Sequence, residues 1–559
     1  MILYSIRVIL GLLSIVLIIG GISLKMHILP AMIKSQIYEN LDLREGTEGF
    51  NAFKEPPAPV YLSYSLFHIK NTNEVIRGEP PVLLEVGPYS YRETMRKENL
   101  MEQNSRYLSY GKYTKFEFDE TNTHKLKCKN RINTPCSKND KITIINPVLL
   151  TLADKLDGLP KTVKDICFEI INNGNEALGI KAEDLFITEE VDKILYTGFD
   201  SKSAAIFDKL DTFLMLLLEV IQESLELDIP IKAKDFENII KIISPAQLSE
   251  GTFAFFKGKN ATKLQNYYTI ENGRFDKESF MNIVEFNGKN KLPEAWWPNV
   301  ATSITGQLSS EGGSCHRIYG TDGTQFPPFL FNKKKFPLWM FVGELCRTIY
   351  VEFESEVEVE GGITAYRYGV GKRVFSMSNP ENFCYCQEFF SCAKQTDNDE
   401  WDLSQCLKCK DGVMDVSACY GAPIFMSQPH FLQADKEVQA YVKGLEPNSE
   451  KHATYLDIEP NLGTPLRAHK KIQINMVLRK VAGIDLLKKV ADFRLIPMFW
   501  ADEGAELDSE KAEELNNVLF SAITIGNTVG IALGYVVGPI LLIVSIILSF
   551  YQRYREKRA

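Results

Sequence analysis

Two long apolar runs stand near the ends of this chain, at residues 6–29 and 521–550, and nothing comparable lies between them. Each exceeds the roughly 20 residues that a helix needs to cross about 30 Å of hydrocarbon. The second run carries no charged side chain from Ser521 to Tyr551. Helix is the form such runs must take, because hydrocarbon offers no partner to backbone N–H and C=O groups. Spans at both ends keep the whole middle, residues 30–520, on one side of a bilayer. The tail at 551–559 sets Arg553, Arg555, Lys557 and Arg558 against Glu556, and basic tails stay cytoplasmic. Two crossings return the chain to its starting side. The expected layout is a short N-tail at 1–5, a span at 6–29, an extracellular or lumenal ectodomain at 30–520, a span at 521–550 and a basic tail at 551–559. Both termini are then cytoplasmic. A cleaved signal peptide is the rival reading of the first run, since Gly20-Gly21-Ile22-Ser23 are mostly small. That run is long for a signal peptide and shows no clear A-x-A site.

The middle has the composition of a globular domain rather than of a polytopic transporter, with 45% hydrophobic and 24% charged residues overall. A formal net charge of -9 argues against a general nucleic-acid binder. Eleven cysteines fall at 128, 136, 167, 315, 346, 384, 386, 392, 406, 409 and 419, six of them between Cys384 and Cys419. In an oxidising compartment such density reads as a disulfide framework. The spacings Cys384-Tyr-Cys386 and Cys406-Leu-Lys-Cys409 also admit a zinc site, but no regular ligand repeat supports it. An odd count leaves one thiol over, and Cys167, within an apolar helical pattern, is the candidate.

Strand-like pieces appear at Val60–Phe67 and Tyr113–Phe118, with Gly87-Pro88 read as a turn between such pieces. From 147 to 244 the pattern turns helical, over Val148–Leu156, Thr162–Ile171, Glu189–Leu195 and Ser203–Leu227. The stretch Leu210–Leu227 is too interrupted by acids to span a bilayer. It reads as a core helix, or as an exposed apolar helix touching lipid. Strands return after 250, most clearly at Tyr350–Glu360, where Val351, Phe353, Val357 and Val359 alternate with glutamates.

Enzyme signatures are absent: there is no H-E-x-x-H, G-x-S-x-G or P-loop pattern. His430 reads as a hydrogen-bonded core residue, and Asp457 and Glu459 as structural acids. The expectation is a protein that is not an enzyme and needs no cofactor. Asn260-Ala261-Thr262 is a glycosylation sequon.

A longer series of segments is more specific. It includes Gly87-Pro-Tyr-Ser-Tyr-Arg-Glu93, Tyr319-Gly-Thr-Asp-Gly323, Phe326-Pro-Pro-Phe329, Cys346-Arg-Thr-Ile-Tyr350, Ser427-Gln-Pro-His-Phe-Leu432, Leu456-Asp-Ile-Glu-Pro460 and Lys471-Ile-Gln-Ile-Asn475. In order and spacing this series resembles the class B scavenger receptor family over nearly the whole chain, both spans included. The resemblance implies an α+β fold: a large antiparallel β-barrel-like ectodomain with an apical helical bundle, flanked by two transmembrane helices. Residues 147–244 fall at the apex and 315–419 form the disulfide-rich region. It also implies a receptor for lipids, fatty acids or lipoproteins, with a tunnel that carries lipid toward the membrane. The alternative is a trafficking or adhesion receptor for a protein ligand held by the apical helices. The plasma membrane is the expected location, with the endosome or lysosome as alternative.

Bridges implied by the resemblance are Cys315 with Cys384, Cys346 with Cys419, and Cys386 with Cys409 or Cys406. Cys392 with Cys406 and Cys128 with Cys136 are plausible additions. Family ligand capture uses apical lysines, and Lys181 falls closest to that stretch, with Lys161 and Lys164 as alternatives. The plainer reading is that all three are solvated helix-face charges. The chain departs from the family in carrying one sequon, in lacking the acidic di-leucine tail signal of its lysosomal member, and in lacking juxtamembrane cysteines. Gly526, Gly530, Gly534 and Gly538, four apart on one face of the second span, predict close helix packing, against the first span or a second copy of the chain.

Overall fold

The computed structural model describes residues 2–558 other than 57, 129–135, 160, 174–178, 201, 207–247, 250–251, 298–314, 331–333 and 396–400. Alternating apolar positions build one 13-stranded antiparallel sheet. Its main path uses β1 (Val60–Ile69), β2 (Leu83–Gln103), β3 (Tyr107–Phe118), β4 (Thr262–Glu271), β5 (Ile283–Phe286) and β6 (Leu338–Val342). It continues with β7 (Arg347–Val359), β8 (Ile363–Gly369), β9 (Tyr455–Ile458), β10 (Pro465–Leu478) and β11 (Arg494–Glu506). The spatial order is β5-β4-β3-β2-β1-β11-β10-β9-β8-β7-β6, and a hairpin of Val413–Asp415 with Ile424–Ser427 branches off β10.

A sheet of this width must curl, and its two edges are bridged rather than left bare. The bridge is Gly320-Thr321. Ile283 of β5 donates its N–H to the Gly320 carbonyl at 2.8 Å, and Phe341 of β6 donates to the Thr321 carbonyl at 2.8 Å. Gly320 has φ +83°, and a Cβ there would lie 2.1 Å from the Trp339 carbonyl oxygen. Only glycine lets this segment lie so close to β6. The Tyr319–Gly323 segment is therefore the seam of a nearly closed barrel.

Beyond one end of the barrel lies α1 (Pro147–Asp157), followed by α2 (Lys161–Asn173). Asn146 caps α1 by accepting the N–H groups of Val148 and Leu149, both at 3.1 Å. Arg479, just past β10, bonds Asp157 at 2.7 Å and Asp154 at 3.1 Å, fastening the last turn of α1 to the barrel. At the other end β11 finishes at Glu506 and leads through a short helix, Ser509–Leu515, toward the second apolar run.

Two terminal helices, Ser5–Asn40 and Ile523–Glu556, are long and apolar enough to cross a membrane and fit a two-pass membrane protein. The first continues past residue 29 to Asn40. A π-helical turn at Leu24–Ile28 precedes Pro30, which lacks the N–H that a regular helix would direct to Met26. The two helices pack on glycine: a Cβ on Gly21 would lie 2.3 Å from the Gly534 nitrogen and 2.9 Å from the Gly530 oxygen. The glycine face of the second helix thus meets the first helix of the same chain.

Several local expectations change. Gly87-Pro88 is not a turn; β2 runs through it, with a cis peptide and a β-bulge opposite Tyr64–Leu66. Gly87 sits at φ +131°, where a Cβ would come within 2.6 Å of the Tyr64 carbonyl oxygen. Glu189 and Glu190 are not helical but belong to a strand, Phe186–Glu190, paired with Lys141–Ile145. Partnering across that ladder overrides their helix propensity, and helical turns begin only at Val191. Of the helix expected at Ser203–Leu227, only the start is described, and the apolar stretch Leu210–Leu227 lies outside the described residues.

Five bridges pair Cys128 with Cys136, Cys315 with Cys384, Cys346 with Cys419, Cys386 with Cys409 and Cys392 with Cys406. The last two surround a small separate core with Met377 and Phe383. The sulfur atoms of Cys386, Cys392 and Cys406 cluster there, but they are committed to bridges and supply no free thiolate to a zinc ion. Cys167 is a buried free thiol on α2, and burial pushes it up to about 11.

Candidate functional site

Strand alternation decides what faces the barrel lumen. On β10, Lys470, Ile472, Ile474 and Met476 share one face, as do Phe499, Ala501 and Glu503 on β11. Glu93 and Met95 of β2 and Lys112, Thr114 and Phe116 of β3 line the same space. Together they enclose a cavity of about 440 Å³, within the range of small-molecule sites.

The two ends of this cavity differ in chemistry. At the apical end lie Pro147, Val148 and Thr151 of α1, and the walls below carry Phe253, Phe255 and Phe256. Phe255 meets Phe499 edge-on at 5.0 Å, and Phe256 packs on Tyr64 at 5.6 Å. At the end nearer the terminal helices the lining is charged: Glu93, Lys112, Asp322, Lys470 and Glu503. Register fixes this polarity. Lys470 lies directly opposite Glu503, and Val60 pairs with both Glu93 and Ala505, next to the point where β11 ends.

The charged floor is mostly self-paired. Lys112 Nζ lies 3.2 Å from Asp322 Oδ2, and Lys470 Nζ lies 3.4 Å from Glu503 Oε1. Asp322 belongs to the seam, so this ion pair ties the bridge segment to β3. The Thr324 N–H also donates to Asp322 at 3.0 Å. Burial opposes the Asp322 charge, yet Lys112 and Lys97 hold its carboxyl well below the usual range. Burial likewise disfavours the Lys112 ammonium, and Asp322 more than reverses this. Lys97 is fully buried, donates to the Phe53 carbonyl at 2.9 Å, and is lowered to about 8 by burial. Glu93 forms no ion pair among the described residues. Burial first, and the Glu503 charge second, push its carboxyl up to about 8.

The apical lysines lie apart from this cavity, and none lines it. Lys161 and Lys181 are exposed. Lys164 bonds the Asp157 carboxylate at 3.2 Å and its carbonyl at 2.8 Å. Asn260 is exposed, and its side-chain amide bonds the Phe116 backbone at 2.9 and 3.1 Å. His430 is buried, its Nδ1 accepting the Glu446 N–H at 3.0 Å. Asp457 is fully buried between Arg367 and Arg467. Reasoning from sequence missed the five charged floor residues. A signal was present: Lys470 and Glu503 are lone charges within alternating faces whose other members are apolar.

A nearly closed antiparallel barrel with an internal cavity, carried between two apolar terminal helices, defines a membrane-anchored barrel protein. The match to a family model settles which kind: residues 12–549 match the CD36 family, and the chain belongs to it. Relatives in that family are scavenger-type membrane receptors. The chain is 28% identical to lysosome membrane protein 2 of Mus musculus, over 92% of this chain and 90% of the relative. It is also 28% identical to sensory neuron membrane protein 1 of Apis mellifera, over 91% and 86%. Sensory neuron membrane protein 2 of Anopheles gambiae is 26% identical, over 91% and 87%.

Proposed function

We propose that this chain is a receptor that binds lipid in the barrel cavity and passes it to the membrane that anchors it. The observation that carries this reading is the cavity's division into an apolar aromatic upper part and a charged floor. An acyl chain gains about 0.8 kcal/mol per methylene on leaving water for such walls. The floor, self-paired by Lys112 with Asp322 and Lys470 with Glu503, sets a charged zone that an apolar chain must cross to go further. Binding and onward transfer are then separable steps. Capture of particles or anionic surfaces at the apex falls to the exposed Lys161 and Lys181, while Lys164 is occupied by Asp157. The ectodomain faces the extracellular or endolysosomal space, with both termini cytoplasmic and a glycan at Asn260.

Cellular uptake of a fluorescent long-chain lipid tests the reading. Ile474→Trp fills the cavity from β10 without touching the apex. Uptake is expected to fall severalfold while surface display of the protein is unchanged. Unaltered uptake would refute a role for the cavity.

A further inference from the structure

Outside the floor, one more cation lines the cavity. Lys259 follows the aromatic run Phe253-Ala254-Phe255-Phe256 and precedes Asn260, whose side chain is pinned to β3. The turn is held by the Lys259 N–H donating to the Phe256 carbonyl at 3.0 Å. The ammonium stands 5.8 Å from the Phe256 ring and 6.0 Å from the Tyr420 ring. Among the described residues it has no ion pair, unlike Lys112 and Lys470. Its nearest acidic influence is Glu344, an exposed residue that also lines the cavity. Burial lowers the Lys259 ammonium, which is what a cation left short of counter-charge experiences. The floor offers an anion no free cation, since Lys112 and Lys470 are already paired with Asp322 and Glu503.

We propose that Lys259 is the head-group residue of the cavity, receiving the carboxylate of a long-chain fatty acid whose tail lies along Phe255, Phe256, Ile472 and Ile474. This rests on the lipid-binding reading above and adds orientation and selectivity to it. The carboxylate stays beside Lys259 and Tyr420, at the side of the cavity where Glu344 reaches solvent. The tail fills the apolar walls, and the head avoids the self-paired floor. A charge-assisted contact of this kind favours the anion over a neutral analogue of equal length by roughly tenfold or more.

The test is equilibrium binding of palmitate and of hexadecanol to the full chain in lipid nanodiscs, for the wild type, Lys259→Met and Lys259→Arg. Thermal unfolding of each variant confirms that the fold is kept. Lys259→Met is expected to weaken palmitate about tenfold and leave hexadecanol unchanged, and Lys259→Arg to stay near wild type. Equal losses for both ligands would mean that Lys259 only packs, and an unchanged palmitate affinity would mean that it does not meet the head group. Either result overturns the inference while the lipid-binding reading stands. Wild-type protein that binds neither ligand overturns both.

Discussion

Asp322 is where the barrel's closure and the cavity's floor meet, so its removal has a calculable consequence. The Asp322 side chain is 5% exposed and that of its partner Lys112 is 19% exposed, with 3.2 Å between the charged atoms. Lys97, 2% exposed, stands close enough to stabilise the same carboxylate. Asp322→Ala leaves the buried Lys112 ammonium without its ion-pair partner and removes the charge that helps Lys97 keep its proton. Breaking a buried pair by deleting one partner costs about 3–5 kcal/mol, because the surviving charge stays desolvated. The Thr324 hydrogen bonds that shape the seam are lost as well. Asp322→Asn keeps the shape and some of those bonds and is expected to cost less than Asp322→Ala. Lys112→Met on the Asp322→Ala background removes one stranded cation and is expected to recover about half of the loss. Urea unfolding of the disulfide-intact protein, run as a double-mutant cycle, measures the coupling directly. A coupling below about 0.5 kcal/mol would refute the claim that this pair locks the seam.

Two further predictions use independent parts of the structure. Glu93, raised from 4.5 to about 8, keeps in the folded protein a proton that the unfolded chain releases above about pH 4.5. Its cost to stability is therefore absent near pH 4, grows as pH rises and is complete above about 8, so Glu93→Gln should stabilise the protein by up to ~3 kcal/mol at pH 7.4 and by little at pH 5; equal effects at both values in urea unfolding would contradict the assignment. Gly534→Leu places a large side chain against Gly21 and Ile22, where a Cβ alone would already come within 2.9 Å of the Ile22 nitrogen; crosslinking between cysteines introduced into the two terminal helices should drop severalfold, and unchanged crosslinking would show that the helices do not pack through this face.

Much of the architecture was legible because strong local patterns coincided with the final fold. The terminal apolar runs, the alternation at Val351–Val359 and the apolar spacing of Val148–Leu156 each reappear as the corresponding element. Legibility failed where long-range pairing decided the outcome. Glu189 and Glu190 look helical in isolation, yet they lie opposite Lys141 and Ile142 in a ladder. Gly87-Pro88 carries turn chemistry, yet the close approach of β1 uses that same glycine to build a bulge within a strand. The cavity was the least legible part. Its charged floor joins residues 93, 112, 322, 470 and 503, and no single segment holds two of them. Only the register of β2, β3, β10 and β11, together with the seam glycine, brings them together. The apical lysines are candidates that come from resemblance alone, and a side-chain partner such as Asp157 for Lys164 becomes visible only when α1 and α2 are folded.

Lipid transfer as proposed requires that lipid occupy the barrel cavity. Photo-crosslinking with a palmitate analogue bearing a diazirine near its tail end, followed by peptide mass spectrometry of the full chain in nanodiscs, tests it most directly. Adducts are expected on peptides containing Phe255, Ile472, Ile474 or Phe499, and their loss in Ile474→Trp. Adducts confined to the terminal helices or the apical surface, unchanged by Ile474→Trp, would contradict it.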